Sequence, residues 1–232
     1  MGVFKKYRIF SILFLLIFIL ELIAEFQQLN TLRLIVKPCI VLSLAIFFCI
    51  CTKLKGRFHK RLFSGLIFAW FGDILLLFVD ARPDYFMYGL FSFLLGHLFY
   101  TRAFYLDFRS AQELDKKNAR IAIGVCSISS IAFYFYLRPH LGALKLPVMI
   151  YTFVISMMLM MAVFRNLRVN KESFTLVFAG AILFILSDSL LAYNKFVSSF
   201  SLAGVCIMAT YMLAQYLIVI GAAERRLLSQ EL

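Results

Sequence analysis

The sequence predicts an all-α, polytopic membrane fold, and three observations predict it. Hydrophobic residues fill 63% of the 232 positions, the mean hydropathy is +0.91, and the apolar residues run in long stretches divided by short charged clusters. A chain this apolar cannot be wrapped around one soluble core, so its solvent must be lipid. Breaking it at the charged and turn-forming clusters leaves eight apolar segments, at 9–24, 34–51, 62–79, 85–104, 119–137, 146–164, 174–193 and 200–223. Each is long enough, at roughly 17–25 residues, to cross a bilayer as a helix. Residues 1–232 therefore read as one transmembrane helical domain.

The first segment follows Lys5, Lys6 and Arg8, as a signal peptide would. No small-residue cleavage site comes after it, and residues 21–26 look like the end of a membrane helix instead. Pro38 opens the second segment and Pro147 the sixth. The third and seventh segments match at an offset of 115: Phe63 with Phe178, Gly65 with Gly180, Ile67 with Ile182, Asp73 with Asp188, and Leu75-Leu76 with Leu190-Leu191. The same offset relates Gly89 in the fourth to Gly204 in the eighth. Two parallel four-helix repeats, over 1–105 and 119–223, are the architecture this suggests. Chance similarity between two Leu- and Phe-rich helices is the alternative, and the aligned aspartates speak against it. The five cysteines, Cys39, Cys49, Cys51, Cys126 and Cys206, all fall in apolar stretches without disulfide or zinc spacing and are expected to pack as small hydrophobes.

Lysine and arginine orient the bundle. Of the 24, eighteen fall on the side of the N-terminus: Lys5, Lys6 and Arg8; Lys53, Lys55, Arg57, Lys60 and Arg61; Arg102, Arg109, Lys116, Lys117 and Arg120; Arg165, Arg168 and Lys171; Arg225 and Arg226. The other six, Arg33, Lys37, Arg82, Arg138, Lys145 and Lys195, fall on the opposite side. Both termini are expected to be cytoplasmic, in the inner or plasma membrane if the chain is bacterial. The formal charge of +12 sits in short loops beside membrane helices, where topology and anionic headgroups account for it. No nucleic-acid partner is implied, and no oligomeric state follows.

Inside the helices the informative residues are polar. A carboxylate near the middle of a spanning helix costs at least ~2.5–3.5 kcal/mol, and a residue that expensive usually serves a site. Asp73 and Asp188 are placed so, and the repeat predicts that they meet at the bundle centre. Asp80 lies seven residues beyond Asp73 on nearly the same helical face, and Lys37, Glu21, Asp84, Asn194 and Lys195 fall toward the same outer end. Together they suggest a cavity reached from the outer leaflet. A purely structural hydrogen bond between helices competes with this reading of the two aspartates. For Glu21, Glu25, Asp80 and Asp84, solvation at the interface is the simpler expectation. His97 is the single histidine inside a segment, so a three-histidine metal site is not available, and a packing role competes with a catalytic one. Tyr211 and Gln215 share a face at i, i+4, either lining the cavity or joining helices. Phosphate-loop, G-x-S-x-G, H-E-x-x-H and C-x-x-C signatures are all missing from the sequence, which leaves acid–base chemistry with no metal or cofactor expected.

The order of short motifs resembles the YhhN-type membrane proteins, a family that includes the lysoplasmalogenases. Lys37-Pro38 opens the second helix, Phe71-Gly72-Asp73 is followed by Leu75-Leu76, Gly96-His97-Leu98-Phe99-Tyr100 lies in the fourth, Ser187-Asp188 in the seventh, and Tyr211 to Gln215 with Tyr216 in the eighth. The resemblance implies hydrolysis of the vinyl ether bond of lysoplasmalogens to a fatty aldehyde and a glycerophospho-alcohol. Asp73 and Asp188 would be catalytic, with Lys37, Asp80, His97, Tyr100, Asn194, Tyr211 and Gln215 around the lysophospholipid. The chemistry suits the residues: one carboxyl can act as acid and one carboxylate as base, as in glycoside hydrolysis. Lys37 or Lys195 can pair with the lipid phosphate, and Phe- and Met-rich helix faces can hold the alkenyl chain. A proton-coupled transporter of a small molecule or lipid is the alternative from another class, since repeats with facing carboxylates suit that as well. A protein that only binds partners or braces the membrane is a third.

Overall fold

The computed structural model describes residues 6–112 and 114–228, so Lys5 and the extreme C-terminus, Gln230 included, lie outside the described residues. The fold is all-α. Among the described residues eight long helices follow one another: α1 (Arg8–Phe26), α2 (Asn30–Thr52), α3 (Gly56–Leu76), α4 (Asp84–Ser110), α5 (Lys116–Leu137), α6 (Lys145–Val163), α7 (Lys171–Phe196) and α8 (Ala203–Ala223). Two 3₁₀ turns, Arg138–His140 and Gly142–Leu144, join α5 to α6. Six helices, namely α1, α2 and α5 to α8, are long and apolar enough to span a bilayer. α3 and α4 fall short of that composition because charge is written into their ends: Arg57, Lys60 and Arg61 in α3, and Asp84, Arg102, Asp107 and Arg109 in α4. The chain is an integral membrane protein.

Its outward faces are oily. Ile121, Val125, Ile128, Ile131 and Phe135 form an exposed stripe along α5, and Ile12, Leu13, Leu16, Ile19, Leu20 and Ile23 do the same on α1. In water such surfaces would drive aggregation, whereas in lipid they are the solvated face. Cys39, Cys51 and Cys206 are also exposed, and Cys126 alone is buried. A thiol is apolar enough to face lipid, so the exposed cysteines belong to the same oily surface.

α3 packs tightly on α4, and α7 on α8. Glycine makes both contacts possible. A Cβ on Gly96 would stand 3.1 Å from the Gly65 carbonyl, and one on Gly180 would stand 2.8 Å from the Ala214 carbonyl. α1 and α2 lie against α8, α6 bridges α4 and α7, and α5 rests on the outside of α6. Within α2 the Pro38 carbonyl accepts the Trp70 indole N–H at 2.9 Å, which fastens α2 to α3.

The cationic end differs from the sequence expectation. Arg165 and Arg168, read as loop cations, are 0% and 2% exposed. α4 runs on to Ser110, past the expected end at 104, and so carries Asp107 into the bundle, where it is fully buried. Arg165 Nε donates to Asp107 Oδ2 at 2.8 Å, and Arg225 Nε donates to Oδ1 at 2.6 Å. Arg168 donates to the carbonyls of Ala111, Phe164 and Leu114 at 2.6–2.8 Å, closing the α4–α5 connection onto that after α6. Beside them Lys6 and Tyr7 both hydrogen-bond to Glu224, tying the start of α1 to the end of α8.

Candidate functional site

Two further buried polar networks lie within the helices among the described residues. The first is built around Asp73 on α3, which is 2% exposed. Tyr211 on α8 donates its hydroxyl to Asp73 Oδ2 at 2.7 Å. Gln215, one turn along α8, donates Nε2 to the Tyr211 oxygen at 3.4 Å and accepts the Tyr100 hydroxyl of α4 at 2.8 Å. Tyr100 and Gln215 are 115 residues apart, the offset that relates Asp73 to Asp188. Lys37 on α2 is buried, and the field of its ammonium reaches both Asp73 and Glu21. Glu21 on α1 is fully buried, and neither carboxyl oxygen has a hydrogen-bond partner among the described residues. The expectation that Glu21 is solvated at the interface is thereby overturned: the first helix packs on α2 and α8 and closes over it.

The second network is built around Asp188 on α7. Tyr151 on α6 donates its hydroxyl to Asp188 Oδ2 at 2.5 Å. His97 on α4 is buried with Nε2 3.9 Å from the same oxygen, beyond hydrogen-bond distance. Asp188 and Tyr151 stand in the wall of a cavity of about 330 Å³ enclosed by α4, α5, α6 and α7. Its other walls are apolar, among them Phe86, Phe133, Ile155 and Ile185, with Ser130 and Ser156 hydrogen-bonded to each other at one side. That volume and lining suit a single hydrocarbon chain whose polar end meets Asp188.

Phe184 joins the two networks. Its ring packs edge-on to His97, at 4.6 Å between centroids, and to Tyr211, at 5.4 Å. Asp73 and Asp188 thus share no hydrogen-bond partner, and each answers to its own tyrosine.

Asp80 and Asn194 lie apart from both networks, on a polar depression of about 540 Å³ at the helix ends opposite the chain termini. Glu25 and Arg33 line it too and form an ion pair of 2.9 Å. Asp80 and Asp84 are exposed, as the sequence suggests. Lys195 lies over the Phe86 ring at 5.0 Å, on the cavity side of α7.

The structure therefore groups Asp73, Tyr100, Tyr211 and Gln215 around one point and sets His97 beside Asp188 at another, where the sequence expects the two aspartates to meet at the bundle centre. Sequence reasoning missed Tyr151, a lone phenol in a Leu- and Met-rich helix that carries no spacing signal. It named Glu21 but read it as solvated, although a signal existed: Glu21 and Glu25 are four apart on α1, as Arg33 and Lys37 are on α2.

The YhhN family matches residues 32–222. Lysoplasmalogenase TMEM86A of Homo sapiens is 32% identical over 171 residues, covering 72% of this chain and 66% of the relative. Lysoplasmalogenase TMEM86B of Mus musculus is 31% identical over 161 residues, covering 68% and 62%. A lysoplasmalogenase of Mycobacterium bovis is 30% identical over 172 residues, covering 72% and 61%. The chain spans just under two thirds of the length of these curated relatives. No solved structure matches.

Proposed function

The chain belongs to the YhhN family, and from that premise we propose that it is a membrane-embedded lysoplasmalogenase, hydrolysing the vinyl ether of lysoplasmalogens through Asp73 and Asp188. One observation carries the reading: Asp188, held by the Tyr151 hydroxyl, faces an apolar cavity sized for a hydrocarbon chain. The relatives' printed names supply the substrate class.

The alkenyl chain occupies the cavity and its ether lies toward the Phe184 ring, with Asp188 on one side and the Asp73–Tyr211 pair on the other. A carboxylic acid protonates the alkenyl carbon β to the ether oxygen. Positive charge then develops on the adjacent carbon and is shared with that oxygen, where a neighbouring carboxylate stabilises it. Water adds to the cationic carbon and gives its proton to a carboxylate. The hemiacetal loses the glyceryl oxygen as an alcohol and leaves the aldehyde, so the catalytic proton is returned. Tyr151 and Tyr211 fix the orientation of the two carboxyls, and Tyr100 and Gln215 brace Tyr211. Lys37 and the polar residues at the outer end, Asp80 and Asn194 among them, lie toward the headgroup. The offset of 115 that relates both the aspartates and the bonded pair Tyr100 and Gln215 supports descent from two four-helix repeats.

All eight helices cross the membrane in this reading, with both termini cytoplasmic, on the support of the lysine and arginine distribution. The test of function is release of aldehyde from a lysoplasmalogen by purified protein in detergent, without a gradient. A transporter yields none there, and that result would sink the hydrolase reading.

A further inference from the structure

Buried charge at the outer end of α1 and α2 is arranged as two rungs of a ladder. The helices are consecutive, packed together and joined by a short turn, so they run antiparallel. Glu25 and Arg33 make the outer rung at 2.9 Å and open onto the polar depression. One turn deeper on both helices, at i−4 on α1 and i+4 on α2, stand Glu21 and Lys37. The fields of both Lys37 and Glu21 also reach Asp73, to which Tyr211 is bonded. The groups that bear on Glu21 are thus Lys37 and Arg33 from α2, Glu25 from α1 and Asp73 from α3.

Charge balance makes this arrangement informative. Arg33 is engaged with Glu25, which leaves Lys37 as the nearby cation for two buried carboxyls, Glu21 and Asp73. One ammonium neutralises one carboxylate, and a second bare carboxylate in a lipid-surrounded bundle is prohibitively costly. The site therefore holds one mobile proton between the two carboxyls. Glu21 has both oxygens free to take it, whereas Asp73 already accepts from Tyr211. Glu21 also precedes the family-matched residues 32–222, so the match assigns it no role.

We propose that Glu21 is the proton shuttle of the Asp73 site, exchanging a proton with Asp73 past Lys37 and with water in the depression at Glu25 and Arg33. In the forward direction the Glu21 carboxyl gives its proton to the Asp73 carboxylate, and Glu21, now anionic, is neutralised by Lys37 and regains a proton from water at the outer end. The reverse transfer clears the proton that Asp73 takes from attacking water. No bond other than O–H is made or broken. Glu21 acts through Asp73 and is a positioning residue in the proton path, and this role rests on the acid–base reading of Asp73.

Two measurements test it on the full-length purified protein. In the first, Glu21→Gln lowers kcat for aldehyde release roughly tenfold or more, with KM near the parent value and a changed pH profile. Glu21→Asp, which keeps the carboxyl, recovers part of the rate, and added formate restores part of it to Glu21→Gln. In the second, pH-difference infrared spectra assign the Glu21 carboxyl by its loss in Glu21→Gln, with Glu21→Asp, which moves that band, as the substitute should the former not fold. That band shifts its titration in Asp73→Asn and in Lys37→Met. A Glu21→Gln enzyme with parent kcat and pH profile, or a Glu21 band indifferent to Asp73→Asn, overturns the proposal. If the parent protein releases no aldehyde, the hydrolase reading fails by itself, and the infrared coupling still decides Glu21.

Discussion

Tyr211 and Asp73, 138 residues apart in the chain, are joined by a hydrogen bond of 2.7 Å in which the α8 hydroxyl donates to the α3 carboxylate. Tyr211 in turn accepts from Gln215, so the orientation of Asp73 is set by a chain of donors that ends at Tyr100. Asp73→Asn keeps shape and removes titration, and aldehyde release should fall by roughly 10²-fold or more with folding retained. Tyr211→Phe removes a hydrogen bond to a charged group, worth about 1.5–3 kcal/mol, and should slow turnover about tenfold or more. Asp80→Asn should be mild, because Asp80 is exposed at the rim. Steady-state kinetics in detergent checks all three, and parent rates in both Asp73→Asn and Tyr211→Phe would reduce this network to a helix brace.

At the cavity, Asp188→Asn should match Asp73→Asn in its loss of turnover, and Tyr151→Phe should show a smaller loss in kcat. Ala192→Phe, which fills the wall of the same cavity, should instead raise KM and shift preference toward shorter alkenyl chains. Competition between lysoplasmalogens of different chain length measures that shift. An unchanged preference would place the chain elsewhere.

The Asp107 network predicts a stability effect in a region away from the chemistry. Asp107 is fully buried between Arg165 and Arg225, and removing one partner of a buried ionic network typically costs about 3–5 kcal/mol, since the remaining charge is left uncompensated. Asp107→Ala should lower the thermal midpoint in detergent well below that of the parent. Arg109→Ala, at an exposed position on the same helix end, should leave it unchanged.

The clasp between the chain ends predicts a pH window. Burial pushes the Glu224 carboxyl up, but hydrogen bonds from Lys6 and Tyr7 outweigh it and hold the group below the usual 4.5. The bond to Glu224 raises Lys6 above its ordinary 10.5. A depressed carboxyl contributes stability above its unfolded value and loses it as pH falls through the folded one; a raised ammonium contributes below its unfolded value and loses it as pH rises through the folded one. The clasp should therefore hold between about pH 4.5 and 10.5 and loosen outside that range. Lys6 is more than half exposed, so the effect is about 1 kcal/mol or less. Glu224→Gln should erase that part of the pH dependence of thermal unfolding.

Topology gives a prediction independent of activity. Cysteines introduced near the two chain ends, in a background lacking the native five, should resist membrane-impermeant labelling in sealed cells and react after lysis. Labelling of either end from outside would reverse the bundle and the outward-facing depression with it.

The sequence by itself determined the class, the helix number and the identity of the expensive polar groups. Those follow from terms that act locally: a bilayer fixes helix length, and a carboxylate in an apolar run is costly wherever the helix goes. Asp73, Tyr211 and Gln215 were legible for that reason. Only the tertiary structure decided which polar groups share a partner. Asp188 bonds to Tyr151 of α6, Asp73 bonds to Tyr211 of α8, and Phe184 stands between His97 and Tyr211. It likewise decided that Glu21 is sealed inside, against its expected solvation, and that Arg165 turns inward to Asp107. A helix's apolar pattern gives a strong signal of which face is buried in water but little in lipid, where the outer face is as apolar as the inner one. The rotation of each helix, and so the partner each polar side chain meets, is set by close packing at residues such as Gly65, Gly96 and Gly180, whose contacts are distant in sequence.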